Sequence, residues 1–561
     1  MRDKWIVDVV LVGILAFVVG CADPSMARKH VKDGAKPKAV GGSAKTFKMV
    51  MPKPSGVKAG WADDNRQYNY FLHFLERFSD AEALKVNVSN RLVLTAVDKN
   101  GRSLPNCVLR FESPQGSLYC ERKTYADGRA MFFPFETCEA EVRKLRVEAR
   151  YGQSVATRDL DVSGRRAIDL RFPVVRPVYQ GIPLDICFVI DATGSMADEI
   201  DKLKQTLAAI HFQVTQLRPK PDVRFAMVLY RDRKDEYVTK LTPFTNSLEG
   251  FAKELSGVSA GGGGDNPEDM QEGLRRAIQD LKWRPKGIRM AFLLADAPPH
   301  LDYGQKFTYV DAMRTAAKQG IKITTIGASG LPIQGEYIFR QMAQYTMGLY
   351  LFLTYGEKGE SDGGTPSSVS HHTGDNWQAL DLDAIIVQSI RRELAHLSDK
   401  PPQMAEDYFA AVPAKGESNQ KVLDKLFGEC VRQLVDYSQE KLDRGTLTAI
   451  VPAGAAKGCE GVGESLGDRL RIAMLKDKTF RLVDRDTLKQ IMGELDLGST
   501  TAFDGDLAPK PGKQKVAQLL VLSKVRRPAA TGYEMFVKMV RVETGEVLSA
   551  SMMKIDERLL Q

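Results

Sequence analysis

The stretch CFVIDATGSM, Cys187–Met196, decides how the rest of the sequence is interpreted. Four apolar residues end at Asp191, and Thr193 and Ser195 follow at every second position. Alternate residues of an extended segment project to one side, so a carboxylate and two hydroxyls can converge on one point. The pattern predicts either half of a metal site at the end of a strand or an N-capping cluster for a helix that starts near Ala197.

The sequence around this stretch alternates between strand and helix patterns over residues 183–397. The strand candidates are LDICFVID, VRFAMVLY, IRMAFLLAD, IKITTIG and LYLFLTY, apolar almost throughout, as strands covered on both faces should be. One helix face is indicated by apolar residues at steps of three and four: Ile200, Leu203, Leu207, Ile210, Val214 and Leu217. The alternation predicts a doubly wound parallel α/β sheet, Rossmann-like in architecture, in which ligands bind at the carboxyl ends of the strands.

The segment IDATGSM resembles the D-x-T/S-x-S motif of the von Willebrand factor type A (VWA) family, its metal-ion-dependent adhesion site (MIDAS). The resemblance extends over 183–397 and implies that AFLLADAPPH supplies a second aspartate, Asp296. Where the family usually has a threonine, the loop GGGGDNPE has Asp265, with Glu268 as runner-up. The segments YRDR, GGGGDNPEDMQEGL and DAPPH look like a subgroup also found beside alpha-kinase domains, although no kinase catalytic motif occurs in this sequence.

The resemblance implies a set of oxygen ligands that suits a hard divalent cation, Mg²⁺ or Ca²⁺, with Mn²⁺ as a further candidate. The predicted ligands are Asp191, Thr193, Ser195, Asp265 and Asp296, with Glu268 as an alternative ligand or a base. Three aspartates around one ion should weaken its preference for a partner's carboxylate by Coulomb repulsion.

Two further segments are weaker candidates for a role in metal binding. Arg231-Asp232-Arg233 follows a strand and either lines the rim of the metal site or forms a solvated turn. His371-His372, with Asp375 nearby, lies in a polar stretch, 356–378, which we expect to be a long loop.

The N-terminus predicts export and lipid anchoring. Residues 1–21 combine a basic start with an apolar run, which is the pattern of a signal peptide, and Val18-Val19-Gly20-Cys21 resembles a bacterial lipoprotein box, which implies lipidation of Cys21. An uncleaved membrane anchor is the alternative. The predicted location is the outer membrane, and residues 22–80 are expected to be a tether followed by a short helix.

Two further domains flank the VWA-like segment. Residues 81–176 contain short β-rich runs and resemble Ig-like or prealbumin-like repeats, which predicts a small antiparallel β-sandwich. After a linker at 398–418, residues 419–556 resemble the CsgG/FlgO-like and TolB amino-terminal type domain, a small α/β fold. The predicted fold class is therefore multidomain, with a β-sandwich, a doubly wound α/β sheet and a small α/β domain.

The spacing of the cysteines does not decide which of them form disulfides. The six cysteines after Cys21 are scattered without a C-x-x-C motif. Cys430–Cys459 and one pair among Cys107, Cys120 and Cys138 could be bridged in an exported protein.

The predicted function is recognition rather than catalysis. We expect metal-supported binding of a protein or cell-envelope partner, in adhesion or as an assembly scaffold. The alternative is a metal-assisted hydrolase with Glu268 or His300 as general base; a purely stabilising ion is a third interpretation. A net charge of +8 over 561 residues without a dense basic run gives no support to nucleic-acid binding, and GGGG lacks the residues of a phosphate-binding loop, so no small-molecule cofactor is expected.

Overall fold

The computed structural model describes residues 57–138, 142–179, 181–215, 217, 220–264, 266–328, 330–354, 378–398, 409–410, 418–484, 488, 517–529 and 532–560. All of them belong to one compact unit that spans residues 52–561. The predicted signal peptide, the lipidation site Cys21, the histidine pair at 371–372 and Asp265 lie outside the described residues.

The first third of the described chain contains β1 (Lys58–Ala62), α1 (Tyr68–Arg77), β2 (Leu92–Val97), β3 (Val108–Glu112), β4 (Leu118–Lys123), β5 (Arg129–Phe132), α2 (Pro134–Thr137), β6 (Lys144–Tyr151), β7 (Ser154–Asp161) and β8 (Ala167–Arg171). The central part contains β9 (Ile182–Asp191), α3 (Ala197–Thr215), β10 (Pro221–Tyr230), β11 (Thr239–Thr245), α4 (Leu248–Ser256), α5 (Met270–Arg275), β12 (Ile288–Ala295), α6 (Tyr309–Gln319), β13 (Lys322–Gly327), α7 (Ile333–Tyr345), β14 (Tyr350–Leu353), β15 (Gln378–Asp381) and α8 (Leu382–Leu397). The C-terminal part contains β16 (Phe409–Ala410), α9 (Asn419–Asp436), β17 (Thr446–Ile450), β18 (Gly454–Ala455), α10 (Glu460–Lys476), β19 (Phe480–Leu482), β20 (Leu519–Ala529), β21 (Gly532–Arg541) and β22 (Val547–Asp556).

An eight-stranded central sheet has the order β11-β10-β9-β12-β13-β14-β1-β15. The strands from β10 to β14 in this order are parallel, as the continuous apolar runs predict. All predicted apolar residues of α3 are buried in one core with the sheet, and Leu217 beyond the helix joins them. The parallel order brings the carboxyl ends of β9 and β12 to neighbouring positions on one edge.

Strand β1 departs from the expectation that residues 22–80 are tether and one helix. Lys58–Ala62 lies between β14 and β15 and is antiparallel to both. Its sequence, KAGWA, has no apolar run of its own, so the strand is specified by partners that come almost three hundred residues later. A β-carbon on Gly60 would lie 2.2 Å from the Phe352 ring, so the strand fits because glycine stands there.

Helix α1 and the turn before it pack against the central sheet, and a buried cluster of charged residues holds them there. Arg340 on α7 is fully buried and forms ion pairs with Asp64 and with Glu336, the latter at 3.2 Å. Its guanidinium lies 4.1 Å from the centroid of the Phe74 ring. Burial of an unpaired arginine would be costly, so the two carboxylates fix the position of this N-terminal segment.

The β-rich part, β2–β8, forms a three-stranded sheet β5-β2-β8 and a four-stranded sheet β4-β3-β6-β7 around one core. Phe111 and Phe132, one from each sheet, stack with ring centroids 4.1 Å apart. The expectation of purely antiparallel pairing is wrong for β8, which pairs with β2 in parallel. The reason is topological, since the chain leaves β7 in one sheet and enters the other sheet at β8.

The C-terminal part has a sheet of order β16-β22-β21-β20-β17-β19, with β18 beside β20, and α9 and α10 share its core. The segment DTLKQIMGEL, whose sequence pattern is typical of a helix, lies almost entirely outside the described residues. None of the helices in the described part of the chain is both long and apolar enough to cross a bilayer.

The six described cysteines are free thiols, so the disulfide pairings considered above are not formed. Cys107, Cys187 and Cys430 have no solvent exposure and serve as small apolar core residues.

Candidate metal-binding site

The first half of the site is built by the turn after β9. Asp191 Oδ1 accepts hydrogen bonds from the Thr193 N–H at 2.9 Å and the Thr193 hydroxyl at 2.7 Å. The Thr193 and Ser195 hydroxyl oxygens are 3.2 Å apart. A 3₁₀ turn, Gly194–Met196, then leads directly into α3. The structure therefore brings the three residues of the D-x-T-x-S pattern together.

Asp296 supplies the second half from the turn after β12. Its carboxyl interacts with the Ser195 hydroxyl and with the charge of Asp191. Asp191 is fully buried and Asp296 is 8% exposed. Among the described residues, neither Oδ2 of Asp191 nor Oδ1 of Asp296 has a hydrogen-bond partner. Buried polar atoms are rarely left in this state, so the pair has room for a ligand that carries positive charge.

The pKa values of the Asp191 and Asp296 carboxyls are both raised, which also favours a positively charged ligand. Burial, reinforced by the negative charge of Asp296, raises the pKa of Asp191 to about 7. Burial also raises the pKa of Asp296. The phenol of Tyr230, which is paired in register with Asp191, has its pKa raised by burial and by the nearby carboxylates. A divalent cation would relieve this repulsion, so the residues fit the group that the sequence motif implies.

The glycine-rich loop packs against the turn after β9. The Gly261 N–H donates to the Ala192 carbonyl, and the Gly194 N–H donates to the Gly262 carbonyl, both at 3.0 Å. Gly262 and Gly263 have φ of +75° and +70°, which glycine adopts without strain. The glycine-rich loop therefore lies next to the D-x-T-x-S residues. Asp265 follows this loop directly in the chain and is outside the described residues.

Glu268, the runner-up residue, lies at the same place. A β-carbon on Gly263 would be 3.0 Å from Glu268 Oε1 and 3.1 Å from the β-carbon of Thr193, so the two side chains face one small space. Backbone hydrogen bonds from Glu268 N–H to Pro298 and from His300 N–H to Glu268 hold it against the loop after Asp296. Glu268 is 3% exposed.

His300, the other candidate base, belongs to a neighbouring cluster. Its Nδ1 is 2.8 Å from Asp302, its Nε2 is 3.7 Å from Asp232, and its ring stacks on Tyr303 at 3.7 Å. The Tyr303 hydroxyl donates to both oxygens of Asp232 at 2.7 Å. The imidazole of His300 is therefore surrounded by Asp302, Asp232 and Tyr303 rather than by the predicted ligands.

The solvated-turn interpretation of residues 231–233 is wrong for its first two members. Arg231 and Asp232 are 6% and 4% exposed. The Arg231 side chain donates to the carbonyls of Ala192 and Ser259 at 2.9 and 3.0 Å, and so ties the turn after β9 to the segment before the glycine-rich loop. Three consecutive charged residues predict a solvated turn. Here the carbonyls that accept from Arg231 come from distant loops, so its burial could not be predicted from the local sequence.

Sequence reasoning also missed two residues that shape the site. Tyr230 ends β10 beside Asp191. Asp235 accepts hydrogen bonds from the Gly263 N–H at 2.9 and 3.0 Å and so holds the glycine-rich loop. The sequence offered a partial signal for Tyr230, because it ends the predicted strand VRFAMVLY of the same parallel sheet; no local pattern marked Asp235.

The described residues contain no group of three or more His, Cys, Asp or Glu side chains that could by themselves hold a metal ion. The predicted set differs from such a group, since two of its five ligands are hydroxyls and Asp265 is not described.

Comparison with known proteins agrees with the central fold. Residues 185–351 match the family described as von Willebrand factor A domain. Alpha-protein kinase vwkA of Dictyostelium discoideum is 28% identical over 159 residues, which are 28% of this chain and 25% of that protein. A putative ariadne-like RING finger protein, R811 of Acanthamoeba polyphaga mimivirus, is 29% identical over 119 residues, 21% of this chain and 11% of that protein.

Among solved structures, the conserved hypothetical protein BatB from Bacteroides thetaiotaomicron is similar, with 14% identity and a TM-score of 0.26. The likeness covers 39% of this chain and 98% of that one. The present chain spans a quarter or less of the curated relatives' length. The family match covers the strands and turns that carry Asp191 and Asp296, and residues 185–351 therefore form a von Willebrand factor A domain.

Proposed function

We propose that the VWA domain binds a divalent cation, Mg²⁺ or Ca²⁺ with Mn²⁺ as a further candidate, and uses it to recognise a protein or cell-envelope partner. Asp191, Thr193, Ser195 and Asp296 would hold the ion, together with Asp265. The observation that carries the proposal is the pair of buried carboxylate oxygens, Asp191 Oδ2 and Asp296 Oδ1, that have no hydrogen-bond partner among the described residues.

The chemistry of the donors supports a hard cation. The site offers carboxylate and hydroxyl oxygens and no described sulfur or imidazole ligand, a composition that suits Mg²⁺ or Ca²⁺ rather than zinc. When bound, the ion would supply a positive centre that attracts an acidic group. The chain's own residues would orient it: Arg231 and Asp235 brace the two loops between which it would lie.

Asp265, as a third carboxylate, would change how strongly the site depends on an acidic group of the partner. With Asp265 as a ligand, three carboxylates would offset the charge of the cation, so the site would hold metal firmly and depend less on an acidic partner. Calorimetry on Asp265→Thr tests the role of the third carboxylate. We expect weaker metal binding in this variant, and unchanged metal affinity would contradict the proposed role of Asp265.

We infer binding rather than catalysis as the role of the site. Glu268 near Thr193 is the feature that favours the alternative, a metal-assisted hydrolase. Under our proposal Glu268→Gln retains the partner. If Glu268→Gln instead abolishes turnover of an envelope substrate that the wild type hydrolyses, the hydrolase assignment is the correct one.

The remaining parts are proposed to place the VWA domain at the cell envelope. We propose lipidation at Cys21 and outer-membrane anchoring, a β-sandwich at 81–176 as a spacer, and a CsgG/FlgO-like domain at 419–556 for envelope assembly. Labelling of cells with a fatty acid tests the anchor, because Cys21→Ala should lose both the label and the membrane association.

The direct experiment is crosslinking in intact envelopes followed by affinity capture. Wild type is compared with Asp191→Ala, and each is captured with and without a chelator. We expect a partner that is lost in the variant and lost on chelation. A partner list unchanged by both treatments would overturn the adhesion-site assignment.

A further inference from the structure

A cavity of about 460 Å³ lies where the β-rich part, the VWA domain and the C-terminal part meet. Its walls come from β2 and β5, from the segment that leads into β8, from the turn after α7, and from Gln439 and the β21–β22 turn. The volume is within the range of sites that hold small molecules. None of its lining residues belongs to the predicted metal site.

Arginines dominate the charge of this cavity. Four of them line it, Arg91, Arg129, Arg165 and Arg166, against a single acidic residue among the described lining residues, Glu546. The Glu546 carboxylate is already engaged, because it accepts backbone N–H groups of Arg166 and Ala167 at 2.8 to 3.2 Å. Arg129 is paired with the Asp127 carboxylate at 2.6 Å, and Arg166 shares the Glu440 carboxylate with Arg541, so the excess of positive charge in the cavity rests mainly on Arg91 and Arg165.

Arg91 is the most constrained of the four. It is 3% exposed, it lies 3.7 Å from the centroid of the Tyr68 ring, and it donates to the Asn65 carbonyl and to Gln439. In the described part of the chain it forms no ion pair. Burial lowers its pKa to about 10, and the charges of Arg129 and Arg166 act in the same direction. Arg129 and Arg166 have carboxylate partners, Asp127 and Glu440, whereas Arg91 has only uncharged acceptors, so an anion in the cavity would compensate its buried charge.

Arg166 adds a donor without an acceptor. Its Nη1 donates to Asn90 at 2.7 Å and its Nη2 lies 3.5 Å from Glu440, but its Nε is buried and has no hydrogen-bond partner among the described residues. Arg165 next to it is exposed at the mouth of the cavity. Guanidinium groups recognise oxyanions through paired N–H donors.

We propose that this cavity binds a small phosphate-bearing anion. A phosphate group places about two charges on one tetrahedral centre, and its oxygens can meet guanidinium groups that arrive from separate chain segments. A planar carboxylate would satisfy fewer of them. Because the walls come from all three parts of the chain, the bound anion would also stabilise their mutual packing.

The test is isothermal titration of the full-length chain with pyrophosphate at low ionic strength. We expect saturable binding that weakens at least about tenfold in Arg165→Gln and further in Arg165→Glu. The matched control is Arg158→Gln, an exposed arginine on β7 that lies outside the cavity and should bind like the wild type. Arg165 is exposed, so both of its variants should fold normally.

Two further arms define the ligand. Citrate should bind more weakly than pyrophosphate. Co-pelleting of the protein with phosphatidylcholine vesicles, prepared with and without phosphatidic acid, distinguishes a lipid headgroup from a free phosphate compound as the source of the phosphate. Absence of pyrophosphate binding, equal weakening in Arg158→Gln, or tighter binding of citrate would each overturn the proposal.

Discussion

At the scale of single residues, the site combines one local turn with side chains that only the folded sheet brings near it. Asp191, Thr193 and Ser195 lie within five residues, so their convergence follows from strand and turn geometry alone. Asp296 became predictable once the alternation of strands and helices placed β9 and β12 on one sheet. Arg231 and Asp235 could not be predicted, because their partners are backbone groups of loops brought near only by the folded sheet.

His211 should give the protein a distinct pH response. It lies on α3 between the rings of Phe225 and Phe251, and burial lowers its pKa to about 4. The unfolded chain takes up this proton near pH 6.5, so between pH 6.5 and 4 the unfolded state binds more protons and the free energy of unfolding falls.

The measurement is urea unfolding at pH 7 and pH 5 for wild type and His211→Leu. We expect the wild type to lose about 2 kcal/mol more than the variant over this interval. An equal loss in both proteins would show that His211 does not titrate in this way.

At the scale of elements, apolar runs predicted strands β9, β10, β12, β13 and β14, whose burial on both faces leaves a clear signal. Strand β1 gave no such signal, since its five residues form a strand only between β14 and β15. The parallel pairing of β8 was equally hidden, because it depends on how the chain crosses between two sheets.

Gly60 makes this strand testable. Gly60→Ala would place a β-carbon 2.2 Å from the buried Phe352 ring, and overpacking of this kind costs about 1–3 kcal/mol. Gly181→Ala is the matched control, because nothing lies within 4 Å of its β-carbon position. Chemical unfolding should show a loss of stability in the first variant and little change or a small gain in the second. Equal stability of the two variants would argue against the position of β1.

At the scale of the whole molecule, buried polar contacts join the parts into one body. Asn69 on α1 has no solvent exposure; its side chain donates to the Val435 carbonyl at 3.0 Å and accepts from the Leu442 N–H at 2.8 Å. The strands of the central sheet were largely predictable from their apolar runs, whereas these junctions were not. They depend on single polar residues without a sequence pattern.

Asn69→Ala should loosen the junction between α1 and the C-terminal part. The substitution leaves the buried Leu442 N–H unpaired, whereas the Val435 carbonyl still accepts the Ser438 N–H at 3.2 Å, so the expected cost is about 1–3 kcal/mol. Scanning calorimetry should show the single transition of the wild type divide or broaden towards lower temperature. The exposed Asn100→Ala serves as control. A variant that melts like the control would show that the Asn69 contacts contribute nothing to docking.

The metal site is tested most simply by calorimetric titration of the metal-free full-length protein with Mg²⁺, Ca²⁺ and Mn²⁺. We expect one saturable site per chain that is lost in Asp191→Asn and in Asp296→Asn. We expect unchanged binding in Asp222→Asn, a 61% exposed carboxylate at the opposite end of β10. Absence of metal binding in the wild type, or equal affinity in Asp191→Asn, would contradict the assignment of this edge of the sheet as a metal site.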